Sequence, residues 1–184
     1  MTKPLTTDEY KSLIKDHYPV VIGGYSGLEY ADTDTVREKL RSILRGLYEK
    51  HGSRLLVVSG GTKIGIGMVY KIAKELDLPT LGIVSEQASF EAISAACDAV
   101  LFVADPNGTW EVTTPEGDSM MVDAASTGEM YYFGGGEVAV KEIQEARQKG
   151  IPVTLFPQFM PDPEKVLSKR KTKPDFEAMP TKFI

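Results

Sequence analysis

The sequence predicts an α/β fold: a single doubly wound, mostly parallel sheet with a small β-hairpin inserted past its middle. Three observations carry that reading. Short apolar runs recur along the chain, and "AVLFVA" at 99–104 holds no polar residue, as a strand covered on both faces requires. Helical stretches separate most of these runs, a spacing that joins parallel strands through right-handed crossovers. Glycines cluster just after three of the runs, at Gly23 and Gly24, at Gly60 and Gly61, and at Gly134, Gly135 and Gly136.

Residues 20–22 form the first strand, ended by "GGYSG". Thr35 and Glu38 fit a capping box, and Val36, Leu40, Ile43, Leu44 and Leu47 then recur along one helical face until "HGS". A second strand spans 55–58. Beyond its glycine turn, Met68, Ile72 and Leu76 space a second helix, stopped by "DLP". A strand at 80–84, a helix at 89–96 and a strand at 99–104 follow. Between 105 and 128, Asn107-Gly108 and Glu116-Gly117 are turn signals around β-prone residues, which predicts a hairpin or flap. Residues 130–133 resume the sheet, a helix covers 137–149, and the last strand covers 152–156. The proline- and lysine-rich tail from Pro157 is expected to be disordered or wrapped over a neighbour. No repeat or boundary divides the chain. Residues 1–184 read as one domain, with a core at about 18–156, an insertion at about 105–128 and a tail at 157–184.

A chain of 184 residues suits one α/β domain, and one of this size buries roughly 70% of its unfolded surface without staples. Net charge is −5 and no dense basic run precedes "KRKTK", which points away from nucleic acid and membrane surfaces and toward a small-molecule partner. The lone Cys97 allows no internal disulfide and reads as core packing. The start lacks an apolar core of signal-peptide length, and no segment approaches a membrane span, so a cytoplasmic protein is expected. His17 and His51 stand apart from each other and from Cys97. Neither a metal site nor a Ser-His-Asp arrangement is expected, and no cofactor is implied.

In an open parallel sheet all strand carboxyl ends share one edge, so the three glycine clusters can converge on one crevice. Glycine lets backbone amides approach an anion, and the following helix adds unsatisfied N–H groups. A glycine pair after a strand is ordinarily a tight turn. Three at equivalent positions favour a phosphate- or ribose-bearing ligand. "SGGTKIGIG" has neither the GxxxxGKS/T order nor the GxGxxG spacing, so a Walker-type NTPase and a standard dinucleotide site are not supported.

The stretch "LLVVSGGTKIGIGMVYKIAKELDLPTLGIVS" resembles the strand, GGG-x-x-G-L-M-G turn, helix and strand of the SLOG superfamily. That group includes Lonely-guy (LOG) phosphoribohydrolases, molybdenum-cofactor carrier-like proteins and nucleotide-sensing domains of TRPM channels and bacterial defence proteins. The LOG motif P-G-G-x-G-T-x-x-E aligns without gaps on residues 134–142, its glutamate falling on Glu142. "VVIGGYSG" is similar to the family's first strand and loop, with Ser26 at a phosphate-binding position. The resemblance spans about 18–156 and implies a Rossmann-like fold. It departs where the motif's proline, glycine and threonine become Gly134, Val138 and Ala139. It departs again at 122–133, "VDAASTGEMYYF", which lacks the arginine of the LOG M-x-x-R-K pattern. Hydrolysis of an N-glycosidic bond uses a carboxylate and a cation together, and here only the carboxylate candidate stands.

The resemblance therefore implies a stand-alone carrier, sensor or sequestering protein for a nucleotide-type small molecule, such as an ADP-ribose-type or cyclic nucleotide. The expected ligand-binding residues are Gly23, Gly24, Tyr25, Ser26, Gly60, Gly61, Thr62, Lys63, Gly65, Gly134, Gly135, Gly136 and Glu142. Lys63 is placed as a point charge on phosphate, Tyr25 as a ring able to stack on a base, and Glu142 as the contact to sugar hydroxyls. Trp110 can stack likewise, although a tryptophan on a hairpin ordinarily anchors it. Asp123 and Glu129 read as ordinary loop acids. The rival is a phosphoribohydrolase with Glu142 as its catalytic acid and an arginine supplied by the flap or a second subunit, Arg37 or Arg41. A homo-oligomer, dimer or higher, is expected. An empty structural role is disfavoured, because the glycine clusters show no evident folding gain in the sequence.

Overall fold

The computed structural model describes residues 1–178. Seven strands form one all-parallel sheet: β1 (Lys3–Pro4), β2 (Tyr18–Gly24), β3 (Leu55–Ser59), β4 (Thr80–Ser85), β5 (Ala99–Val103), β6 (Glu129–Phe133) and β7 (Val153–Phe156). Their order is β1-β5-β4-β3-β2-β6-β7. The chain lays β3, β4 and β5 to one side of β2, then returns to place β6 and β7 on the other. The point of reversal lies beside β2, where sheets of this kind bind ligands.

Successive strand residues point to opposite faces, and both faces are buried. Val20, Ile22, Leu55 and Val57 enter one apolar cluster; Val21, Leu56 and Val58 enter the other. The first cluster is covered by α2 (Thr33–His51) and α3 (Met68–Glu75), the second by α1 (Thr7–Asp16), α4 (Met120–Ala124) and α5 (Glu137–Gln148). Fully burying a leucine such as Leu40 or Leu44 on α2 contributes about 2 kcal/mol. α2 begins earlier than its expected box. Asp32 is the N-cap, its carboxylate accepting from the Thr35 amide at 3.1 Å and the Thr35 hydroxyl at 2.6 Å.

Two expected elements differ. The helix at 89–96 is reduced to a 3-10 turn, Phe90–Ala92. The backbone beyond it is extended because it pairs with the second glycine turn: the Ser94 amide donates to the Gly61 carbonyl at 2.8 Å, and Ile93 bridges Thr62. A helix would withdraw those groups. The hairpin in 105–128 is reduced to one antiparallel bridge, Thr113 to Ser119, because the next residues turn into α4.

The tail from 157 to 178 packs on its own chain. Pro161 bridges Tyr30, α6 (Pro163–Arg170) follows, and Phe176 is buried against the α2–α3 side of the sheet. Residues 179–184 lie outside the described residues. Among the described residues no helix is long and apolar enough to cross a membrane.

Candidate functional site

A cleft of about 660 Å³ opens at the carboxyl ends of β2, β3 and β4, and α5 and the 109–119 segment form its far side. Its floor is braced by side chains that tie the glycine turns together. The Tyr30 hydroxyl donates to the Phe133 carbonyl at 2.6 Å and accepts from the Tyr25 amide at 3.2 Å, joining the first turn to the third. The Thr62 hydroxyl donates to the Ser26 carbonyl at 2.8 Å, joining the second turn to the first. The buried Tyr70 hydroxyl donates to the Leu81 carbonyl at 3.1 Å and accepts from the Gly61 amide at 2.9 Å. The turns are thereby held in place without a ligand.

This bracing explains most of the glycines by packing. A Cβ on Gly23 would lie 2.2 Å from the Tyr132 ring, and one on Gly24 2.2 Å from the Tyr30 hydroxyl. The clusters therefore do bring a folding gain, contrary to the expectation from sequence. Gly60 is different. It lines the cleft, its backbone needs no left-handed φ, and an added Cβ meets nothing within 4 Å. Among the described residues the amides of Ser26, Gly60 and Thr62 have no protein acceptor, and α5 starts at Gly136 without a side-chain cap. Ser26, Gly60, Thr62 and Gly136 all line the cleft.

Charge is divided across the cleft. Among the described residues five glutamates and three lysines line it, so acidic side chains outnumber basic ones. Lys169 and Lys173 come from α6 and the turn after it, and Phe176 beside them is 3.4 Å from where a Gly136 Cβ would stand. The Lys169 ammonium sits over the Phe176 ring at 4.6 Å, and burial holds its pKa below the usual lysine range, with Lys173 lowering it further. Along α5, Glu142 accepts from the Tyr132 hydroxyl at 2.8 Å. Desolvation pushes the Glu142 carboxyl up to about 7, against the hydrogen bonds of Tyr132 and Ser119 and with help from Glu145 and Glu111. Gly23 leaves room for the tyrosine that holds this glutamate. Glu145 and Glu111 are already paired: Glu145 takes the Ser119 amide and Lys149, and Glu111 takes Lys141.

No protein-family model and no curated protein sequence matches the chain. Its structure is similar to solved ones. The molybdenum cofactor carrier protein of Chlamydomonas reinhardtii matches with a TM-score of 0.54 at 19% identity, over 86% of each chain. A protein designated TM1055 matches with a TM-score of 0.51 at 20% identity, over 74% of this chain and 72% of its own. DNA processing protein A of Streptococcus pneumoniae matches with a TM-score of 0.56 at 12% identity, over 95% of this chain and 65% of its own. The likeness shows the fold. It is the α/β fold that the resemblance implied.

Of the residues expected at the site, Gly23, Gly24, Tyr25, Ser26, Gly60, Gly61, Thr62, Gly136 and Glu142 line the cleft. Lys63 and Gly65 instead line a separate depression of about 340 Å³ with Arg37 and Lys71. Gly134 and Gly135 lie behind the cleft, and the Gly134 amide is taken by the Phe156 carbonyl at 3.1 Å. Tyr25 is only 4% exposed and packs edge-on against Tyr30, so its ring is part of the core; its hydroxyl is buried without a hydrogen-bond partner among the described residues. Asp123 accepts from Tyr10 and Glu129 from Tyr18 and Tyr131, all away from the cleft. Arg37 pairs with Asp34, and Arg41 with Glu38 and Glu75, on the helical side. Sequence reasoning missed Lys169, Lys173 and Phe176, which lie in a segment read as tail. The signal available was Asp162-Pro163-Glu164, a capped helix start with proline at its first turn.

Proposed function

We propose that this protein binds a nucleotide or nucleotide-derived small molecule, of ADP-ribose or cyclic-nucleotide type, as a stand-alone carrier, sensor or sequestering protein. Gly60 carries the reading. It lines a cleft sized for such a ligand, and neither packing nor backbone conformation accounts for its missing side chain; close approach of a ligand to its amide does. The amides of Ser26, Gly60 and Thr62 and the first turn of α5 hold phosphate, Lys169 and Lys173 supply its countercharge, and Glu142 meets the sugar hydroxyls. A carrier role accords with the likeness to a molybdenum cofactor carrier protein. The net charge of −5 weighs against a nucleic-acid role despite the likeness to a DNA processing protein.

A second reading has one observation in its favour. Glu142, at about 7, is poised to donate a proton near neutrality, as a glycosidic acid must, and Lys169 and Lys173 stand in for the arginine the motif lacks. That makes a phosphoribohydrolase acting on a nucleoside monophosphate the alternative.

One experiment separates them. Purified protein is incubated with AMP, ADP-ribose, cyclic ADP-ribose isomers, NAD and cyclic dinucleotides, filtered and heated, and both fractions are read by mass spectrometry. The binding reading expects an intact nucleotide released only by heat. It expects Gly60→Ala to lose that retention while its stability stays within about 0.5 kcal/mol of the parent, since the new methyl meets no protein atom within 4 Å. Free base and ribose phosphate accumulating in the filtrate, and abolished in Glu142→Gln, would establish the hydrolase instead.

A further inference from the structure

The indole of Trp110 is 62% exposed, yet it belongs to a loop that lines the cleft. It joins neither apolar cluster, contacts no other aromatic ring among the described residues, and so does not anchor its segment. Its backbone is nonetheless tightly specified. Asp105, 4% exposed, accepts from the Trp110 amide at 2.9 Å and from the Ser85 hydroxyl at 2.7 Å through one oxygen, and from the Thr109 amide at 3.0 Å through the other. On the far side, Glu111 pairs with Lys141 of α5 at 3.2 Å. The loop thus leaves the ends of β4 and β5 and crosses to α5, with Trp110 between its two fastenings.

Those fastenings hold Trp110 at φ 63°, a left-handed conformation that a bulky L-residue adopts only under constraint. Gly108, two residues earlier, sits at φ 62° and shows the residue such a position ordinarily takes. Strain of this kind is retained at sites that use the side chain it displays. Ser85 ends β4, next to β3, and Asp105 follows β5, two places from β3; by register both stand beyond the level of Gly60, so the loop rises from the sheet past the Gly60 turn. Val84, Ala88 and Ile93 line the cleft between them with apolar surface.

We infer that Trp110 forms a stacking subsite for a planar heteroaromatic ring of the ligand, separate from the glycine turns that take its phosphate. This rests on the nucleotide-binding reading above and adds the part of the ligand that backbone amides do not read. A base stacked on an indole discriminates strongly against a ligand that lacks the base.

Trp110 is the only tryptophan in the sequence, so intrinsic fluorescence reports on it directly. The full chain is titrated with AMP and with ribose 5-phosphate, following fluorescence and calorimetry in parallel. AMP is expected to quench Trp110 and to bind more tightly than ribose 5-phosphate. By calorimetry, Trp110→Gly weakens AMP about 10-fold or more, leaves ribose 5-phosphate as it was, and melts no lower than the parent, because glycine accepts the left-handed backbone. Trp110→Phe keeps most of the AMP affinity. Equal affinities for the two ligands in both proteins, or a fall in melting temperature of more than about 4 °C in Trp110→Gly, overturns the subsite and leaves phosphate binding standing. Binding of neither ligand overturns the subsite as a site for AMP; the nucleotide reading itself falls only if the wider mixture above also goes unretained.

Discussion

Glu142 is the residue whose environment most changes its chemistry. Its carboxyl is raised from an ordinary value of 4.5 to about 7, chiefly by desolvation. Between those two values the folded protein holds a proton that the unfolded chain has released, so folding is favoured at the acid end. Stability then declines as pH rises from 4.5 through 7, by roughly 3 kcal/mol. Glu142→Gln keeps an acceptor for the Tyr132 hydroxyl and removes the charge. It is expected to exceed the parent in stability by on the order of 2 kcal/mol at pH 8 and to match it near pH 4. Urea unfolding at the two pH values checks this; a difference independent of pH would place the effect in packing. The alignment with the LOG motif singled out Glu142, but its proton affinity was not legible there. Tyr132, Ser119 and Glu111 reach it from other parts of the chain, and Glu145 from the next turn of its own helix.

At the scale of elements, sequence reading succeeded where a single local pattern decides. β2 through β7 and α2, α3 and α5 follow from apolar runs, helical spacing and glycine turns. α1 was passed over although its signal was present: Thr6 accepts from the Glu9 amide at 3.2 Å while the Glu9 carboxylate accepts from the Thr6 amide at 2.8 Å, a full capping box. The expected helix at 89–96 failed for the opposite reason, since its backbone is claimed by the Gly61–Thr62 turn. The C-terminal segment makes the largest difference, because it brings cations to a cleft that, among the described residues, otherwise has only Lys141, already paired. Replacing Lys169 and Lys173 together by alanine is expected to weaken AMP binding about 10-fold at 0.1 M salt and to flatten its salt dependence, with little change in melting temperature. Calorimetry over a salt series measures both. Unchanged affinity would reduce the segment to a packing element around Phe176.

For the molecule as a whole, the order of strands creates the site. Because β6 returns beside β2 after β3, β4 and β5 have gone the other way, the first and second glycine turns and the start of α5 open on one crevice. A homo-oligomer is proposed as the working assembly, and light scattering tests it: a mass above 20.2 kDa in whole multiples supports it, and a clean monomer removes it.

Periodicity and turn chemistry are local properties, and they sufficed to declare an α/β sheet with glycine turns at its carboxyl edge. Why each glycine is a glycine is not local. Gly23 and Gly24 yield space to Tyr132 and Tyr30, whereas Gly60 yields it to the cleft, and the three look alike in sequence. Nor is it local that Lys63 stands outside the cleft while Lys169, more than a hundred residues later, stands within it. Such assignments depend on which distant side chains meet across the sheet edge, and only folding brings them together.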